Sequence, residues 1–171
     1  MPVLRWLALW QPTSAVALIV PVSLSAVTYL AVNMRDIDAR EIYNIRNHES
    51  PDLLAREVIL AASFGKAGIS VQDGRPVGIV GVSPLWAGVW TIWSYGTDEW
   101  RKGVLDMTRF GRKVLKPFLL ARGAHRLQCE SRVDHEDAHR WLASCDAKIE
   151  GVLQCYGRDG SDYYQFAWIR D

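Results

Sequence analysis

Apolar and polar positions along this chain switch between two spacings, and the switches mark out its elements. Residues 15–22 form a short, β-branched apolar run suited to a buried strand. Ser23 or Ser25 then stands where it can N-cap a helix carrying Val27, Leu30, Met34 and Ile37 on one face. Asp36 and Asp38 put acids at the start of a second helical stretch with Ile42 and Ile45. His48-Glu49-Ser50 breaks the pattern and Pro51 suits a first helical turn. Residues 52–64 then space Leu53, Leu54, Val58, Ile59 and Ala62 as a helix.

The second half changes period more often. Residues 67–72 and 77–82 read as strands joined by the turn Asp73-Gly74-Arg75-Pro76, and residues 88–95 as a third, rich in Trp. Residues 100–122 predict a long helix with Val104, Met107, Phe110, Val114 and Phe118 on one side, kinked at Pro117 and stopped by Gly123. A strand over 125–132 follows, then a short helix to Ser144 with Asp134 as its N-cap. Residues 147–156 and 163–169 are the closing strands, linked by Gly157-Arg158-Asp159-Gly160-Ser161.

That order resembles the GNAT superfamily of N-acetyltransferases. In its closing motif, a helix with Ala at one position and Tyr four later runs into Gly-Phe and a strand that often reads K-x-E-G. Here Ala138 matches the Ala and Lys148-Ile149-Glu150-Gly151 resembles the strand. The likeness covers residues 15–171, and its specific part is the last forty. A narrower likeness is to the small GNAT-like internal virion or assembly proteins of short-tailed phages. It rests on Leu30-Ala31-Val32-Asn33-Met34-Arg35 with Asp38, on Gly78-Ile79-Val80-Gly81-Val82, on Trp93 leading into Gly96-Thr97, and on Arg140-Trp141-Leu142. The expected fold is α/β, a GNAT-like mixed central sheet flanked by helices, with a short leader over residues 1–12 and the domain over 13–171.

Composition adds limits. A chain of 171 residues with 49% hydrophobic residues makes one good core. Its net charge of +1 indicates neither a nucleic-acid partner nor a cationic one. Residues 101–126 are nonetheless a basic cluster, while the first 34 residues carry only Arg5. Cys129, Cys145 and Cys155 lack zinc-ligand spacing and read as buried, reduced thiols. The uncharged run 6–34 is long enough to suggest a membrane span, and residues 6–27 are the stretch that would supply it. Pro12, Pro21 and the serines make it a poor one, and a first strand and helix of the domain is the preferred reading.

The resemblance implies a Gly-rich turn, Q/R-x-x-G-x-G/A, whose backbone N–H groups cradle the acyl-CoA pyrophosphate at a helix N-terminus. At that place the sequence offers Gly96-Thr97-Asp98-Glu99-Trp100-Arg101-Lys102-Gly103, so Trp100, Arg101, Lys102 and Gly103 are the cofactor-binding candidates. Asp98 and Glu99 would face the phosphates at a cost of about 1 kcal/mol each. The Tyr that protonates the leaving thiolate falls at Leu142, and Gly-Phe becomes Asp146-Ala147. Tyr156 and Cys145 are nearby substitutes, and Glu130 is a candidate base acting through water, or a sheet residue satisfied by Arg126 or Arg132. His135 and His139, four apart on one helical face, suit a metal only with a third ligand and otherwise read as surface histidines; no metal is expected.

These departures favour a non-catalytic, virion-associated scaffold without a cofactor, its Trp-rich strand and leader contacting other virion proteins in the virion or host cytoplasm. The alternative is an acyl-CoA N-acetyltransferase using acetyl-CoA. A membrane-held accessory domain is the third expectation.

Overall fold

The computed structural model describes residues 18–170. Strand β1 (Leu18–Val20) is followed by α1 (Leu24–Val32), α2 (Asp36–Asn44) and α3 (Pro51–Phe64). Then come β2 (Lys66–Gln72), β3 (Arg75–Trp86) and β4 (Val89–Gly96). Helix α4 (Trp100–Phe110) continues through a π turn (Gly111–Leu115) into α5 (Lys116–Leu120). Strand β5 (Arg126–Arg132), α6 (Glu136–Ser144), β6 (Lys148–Leu153) and β7 (Tyr163–Ile169) complete the chain.

The strands form one sheet in the order β1-β2-β3-β4-β5-β7-β6. All neighbours are antiparallel except β4 and β5. On one face, Val27, Leu30, Leu54 and Val58 of α1 and α3 pack on Ile69, Ile79 and Tyr95. On the other, Met107, Leu115 and Leu119 cover Val80, Val82 and Trp90. This is the mixed sheet between helices that the pattern predicts.

Local chemistry accounts for most boundaries and for the places where they differ from the sequence reading. Of the two serines, Ser23 is the cap, its hydroxyl accepting from Ala26 N–H. Helix α1 ends at Val32, so Met34 and Ile37 are not on its face: Asn33 Nδ2 donates to the Tyr29 carbonyl and the chain turns before α2. Residues 15–17 of the expected first strand lie outside the described residues, as does the leader. Strand β3 runs on to Trp86, beyond Val82, because it pairs with the whole length of β4. The helix irregularity precedes Pro117. Lys116 N–H reaches the Gly111 carbonyl, and this wider turn accommodates a ring that has no N–H and would strike the carbonyl four residues back. Asp134 does not cap α6; its carboxylate binds Arg132 at 2.9 Å, and His135 occupies the cap position without a side-chain capping bond.

Leu18–Val20 form β1 and residues 24–27 open α1, with Val27 fully buried, so this part of the stretch 6–27 packs in the domain; residues 6–17 lie outside the described residues. No helix among the described residues is long and apolar enough to cross a membrane. Only Cys129 of the thiols is fully buried; Cys145 is half-buried and Cys155 exposed. Of the Trp cluster, Trp90 and Trp100 are core, Trp93 donates to Ser83 Oγ at 2.9 Å, and Trp86 alone is strongly exposed, at 63%.

Candidate functional site

Strands β4 and β5 are in register over three pairs only, Val89–Arg126, Trp90–Leu127 and Thr91–Gln128. Beyond them β4 stays with β3 to Gly96, and β5 stays with β7 to Arg132. The sheet therefore opens between the two C-terminal ends. A cleft of about 330 Å³ occupies the opening, reaching Ile42 and Val58 on one face and Trp141 and Leu142 on the other.

Helix α2 lies at the mouth and sends two carboxylates inward. Asp38, 3% exposed, accepts from Arg35 Nη2 at 2.7 Å, from Arg35 Nε at 3.1 Å and from Gly96 N–H at 2.9 Å. Burial raises its pKa above the ordinary carboxylate value, with Arg35 opposing. Glu41 Oε2 accepts from Ser131 Oγ at 2.8 Å, Arg132 N–H at 2.7 Å and His135 Nδ1 at 3.0 Å. His135 Nε2 stands 3.4 Å from Asp38 Oδ1. A polar clasp thus crosses the gap from the end of β4, through α2, to the end of β5 and the start of α6. None of Arg35, Asp38 or Glu41 stands out in sequence as a site residue. The Arg-x-x-Asp spacing is the one signal, and it reads equally as a solvated helix start.

The corrections concern the histidines and Glu130. His135 is not a surface residue but is 3% exposed, and His139 is half-buried against Tyr164 and Phe166. Burial lowers the His139 pKa. Arg126 and Arg132 do not satisfy Glu130: Arg126 binds Glu150 at 2.9 Å, and Arg132 binds Asp134 and Asp159. Leu127 packs under α4 and α5, so strand alternation turns Glu130 to the opposite face, where it lines the cleft. Tyr156 sits outside the cleft lining, edge-on to Tyr163 at 5.3 Å. Burial, then the Glu130 charge, raises its phenol pKa.

The turn after β4 carries the other candidates. Trp100 opens α4, with Arg35 over its ring at 4.3 Å and Trp141 edge-on at 5.7 Å, and it lines the cleft. Arg101 points outward and binds Asp137 of α6 at 2.9 Å; Lys102 binds Glu99 at 2.8 Å. Gly103 faces the sheet, where a Cβ would lie 2.5 Å from Ser70 Oγ and 2.8 Å from Val77 Cγ2. Four amides of the turn are already engaged. Gly96 donates to Asp38, Thr97 to the Val77 carbonyl, Glu99 to Thr97 Oγ1 and Trp100 to the Thr97 carbonyl.

Three buried polar atoms in the cleft lining have no hydrogen-bond partner among the described residues: Tyr95 Oη, Trp100 Nε1 and His135 Nε2. Burial raises the Tyr95 phenol pKa, so it is a neutral donor. Leu142 and Cys145 also line this space. The cleft therefore offers donors suited to a carbonyl oxygen, whereas the turn after β4 presents the acids Asp98 and Glu99. No group of three or more metal-ligating side chains is placed to hold an ion among the described residues.

No protein-family model and no curated protein matches this chain. Solved structures do. The ribosomal-protein-S5-alanine acetyltransferase of Vibrio fischeri superimposes with a TM-score of 0.65 at 17% identity, over 93% of this chain and 96% of that one. A ribosomal L7/L12 α-N-protein acetyltransferase in complex with coenzyme A gives 0.66 at 15%, over 94% and 97%. The phosphinothricin acetyltransferase of Sinorhizobium meliloti, in complex with acetyl-CoA, gives 0.65 at 12%, over 91% and 89%. The superposition, over almost the whole of each chain, gives this chain the fold of the GNAT N-acetyltransferases.

Proposed function

We propose that the chain is an acyl-thioester-dependent N-acyltransferase with an atypical phosphate-binding turn. The observation that carries this reading is the convergence of three unpartnered buried polar atoms and the Glu130 carboxylate on the opening between β4 and β5. Buried polar groups are normally satisfied, so several orphans lining one cleft favour a polar ligand there. The structural neighbours solved with coenzyme A and acetyl-CoA add to this.

The thioester supplies an activated acyl group. Glu130, on the α2–α3 face, takes the proton of the attacking amine through a water as the C–N bond forms and the C–S bond breaks. Tyr95 Oη and Trp100 Nε1–H are the neutral donors in reach of the cleft, suited to a carbonyl oxygen. Leu142 offers no proton to the departing thiolate, which takes one from solvent. Acetyl-CoA is the donor to test first.

A second reading is a phage virion-associated protein that uses the domain as a binding scaffold for other virion proteins, without turnover or cofactor. The engaged amides of the turn after β4, the paired Arg101 and Lys102, and Leu142 support it.

Thermal unfolding and calorimetry with acetyl-CoA separate the two. At a hundredfold excess over Kd, binding adds about 2.7 kcal/mol, or about 5–11 °C in Tm for a chain of this size. Absence of any shift or heat at millimolar acetyl-CoA refutes the enzyme reading.

A further inference from the structure

Four carboxylates line the cleft: Asp38, Glu41, Glu57 and Glu130. Three of them are already engaged. Asp38 holds Arg35, and Glu57 holds Arg46 at 2.9 Å and His48 at 2.8 Å. Glu41 accepts from Ser131 Oγ, Arg132 N–H and His135 Nδ1. Glu130 alone holds no cation and accepts no hydrogen bond among the described residues, because Arg126 and Arg132 close on Glu150, Asp134 and Asp159. The cleft therefore presents one open negative charge, enough for one cation.

The surroundings of that charge are apolar. On the α2–α3 face the lining continues as Ile42 and Ile45 at the mouth, Leu54, Val58 and Ala61 of α3, and Trp93 of β4. Tyr95, 4% exposed, opens its hydroxyl into the same space without a hydrogen-bond partner. A phenol oxygen accepts from an amine N–H and keeps its own proton to donate. The volume of about 330 Å³ is at the small end for ligand sites, and it must take the acyl group as well.

We propose that the acyl acceptor is a small monoamine, a single ammonium on an apolar alkyl or aralkyl body. Glu130 and Tyr95 Oη hold the nitrogen, and the body packs against Val58 and Trp93. This rests on the transferase reading of the cleft and adds the class of acceptor. A polyamine fits less well, because its second ammonium would be drawn out of water onto the Ile42 and Ile45 wall, where no open carboxylate receives it. A polypeptide N-terminus also fits less well, since those two side chains offer nothing to the carbonyl and amide groups that follow it.

Calorimetric titration of the full chain with matched amines tests it, with and without millimolar coenzyme A. Hexylamine should bind about tenfold or more tighter than ethylamine, which lacks the apolar body. It should also bind about tenfold or more tighter than hexamethylenediamine, which differs by the second ammonium. Glu130→Gln should cut hexylamine affinity about tenfold at similar Tm. Ile45→Glu puts a carboxylate on an exposed position of the wall and should reverse the preference towards the diamine; Thr91→Asp, at another position of the lining, repeats that test independently. Equal affinity of the wild type for hexylamine and the diamine overturns the proposal. So does absence of binding by any amine at millimolar concentration in either condition, or tighter binding of a tripeptide amide that begins with leucine. Absence of acetyl-CoA binding refutes the transferase reading and the acceptor role with it, whereas the amine ranking is measured without a thioester and fails separately.

Discussion

Replacing Asp38 by alanine tests the clasp at the mouth of the cleft. The substitution leaves the Arg35 guanidinium, 11% exposed, without its carboxylate, and leaves Gly96 N–H without an acceptor. Breaking a buried ion pair from one side costs about 3–5 kcal/mol, and an orphaned buried donor about 1–3 kcal/mol. Water entering the space relieves part of this, so the expected loss is about 4 kcal/mol, or about 8–16 °C in Tm. The double substitution Arg35→Met/Asp38→Leu removes the stranded cation as well. It should recover about 2 kcal/mol of the loss, because desolvation already sets the pair's net worth low. Urea unfolding of the wild type, Arg35→Met, Asp38→Leu and the double variant gives the coupling directly, provided the slopes match. The pH dependence has a definite sign. A carboxyl with a raised folded pKa contributes stability that is fully present below its unfolded pKa and lost as pH rises through the folded one. The wild type should therefore gain on Asp38→Asn as pH falls through that acidic window. A loss below about 1 kcal/mol for Asp38→Ala, or a double variant as unstable as the single, refutes the account.

Other outcomes follow from the same geometry. Glu130→Gln should lower kcat for acyl transfer about a hundredfold with little change in Tm, read by thiol release and thermal melting; unchanged kcat removes Glu130 from the reaction. Leu142→Tyr places a phenol in the cleft lining and should raise kcat if protonation of the thiolate limits turnover, about tenfold by the same assay, with a flat response counting against that step. Gly103→Ala should destabilise by about 1–3 kcal/mol although alanine is the better helix former, since its Cβ meets Ser70 and Val77; a rise in Tm would show that α4 can shift.

Period and punctuation made the secondary structure legible. Ser23, Ser50 with Pro51, and Asp73-Gly74 are local signals, and each stands where its chemistry places it. The closing elements from β5 to β7 carried the architecture, although their expected N-cap was wrong because Asp134 had a stronger partner two residues away in Arg132. The site was less legible. Asp38 and His135 are 97 positions apart, and nothing local distinguishes a helix-start acid in water from one buried under Arg35 and a neighbouring strand end. Glu130 was visible as a candidate, but its freedom from Arg126 and Arg132 depended on Glu150 and Asp159 arriving from the last hairpin. Trp100 was singled out for its position in the turn; its unpartnered indole N–H emerges only once Arg35 and Trp141 close around the ring.

The short register between β4 and β5 also divides the molecule in folding. Strands β1 to β4 form an antiparallel sheet from one continuous stretch of chain, and β5, β7 and β6 form another from the stretch that follows. Three parallel residue pairs and side-chain bridges such as Trp141 Nε1 to Thr108 Oγ1 join them. Each half can close most of its own backbone ladder before meeting the other, as cooperative subunits of a structure do. The seam should open first under mild denaturant, with amides at its three pairs exchanging well before those in the centre of β3. The same gap that admits a ligand is then the line along which the protein comes apart, and whatever binds across it welds two folding units into one.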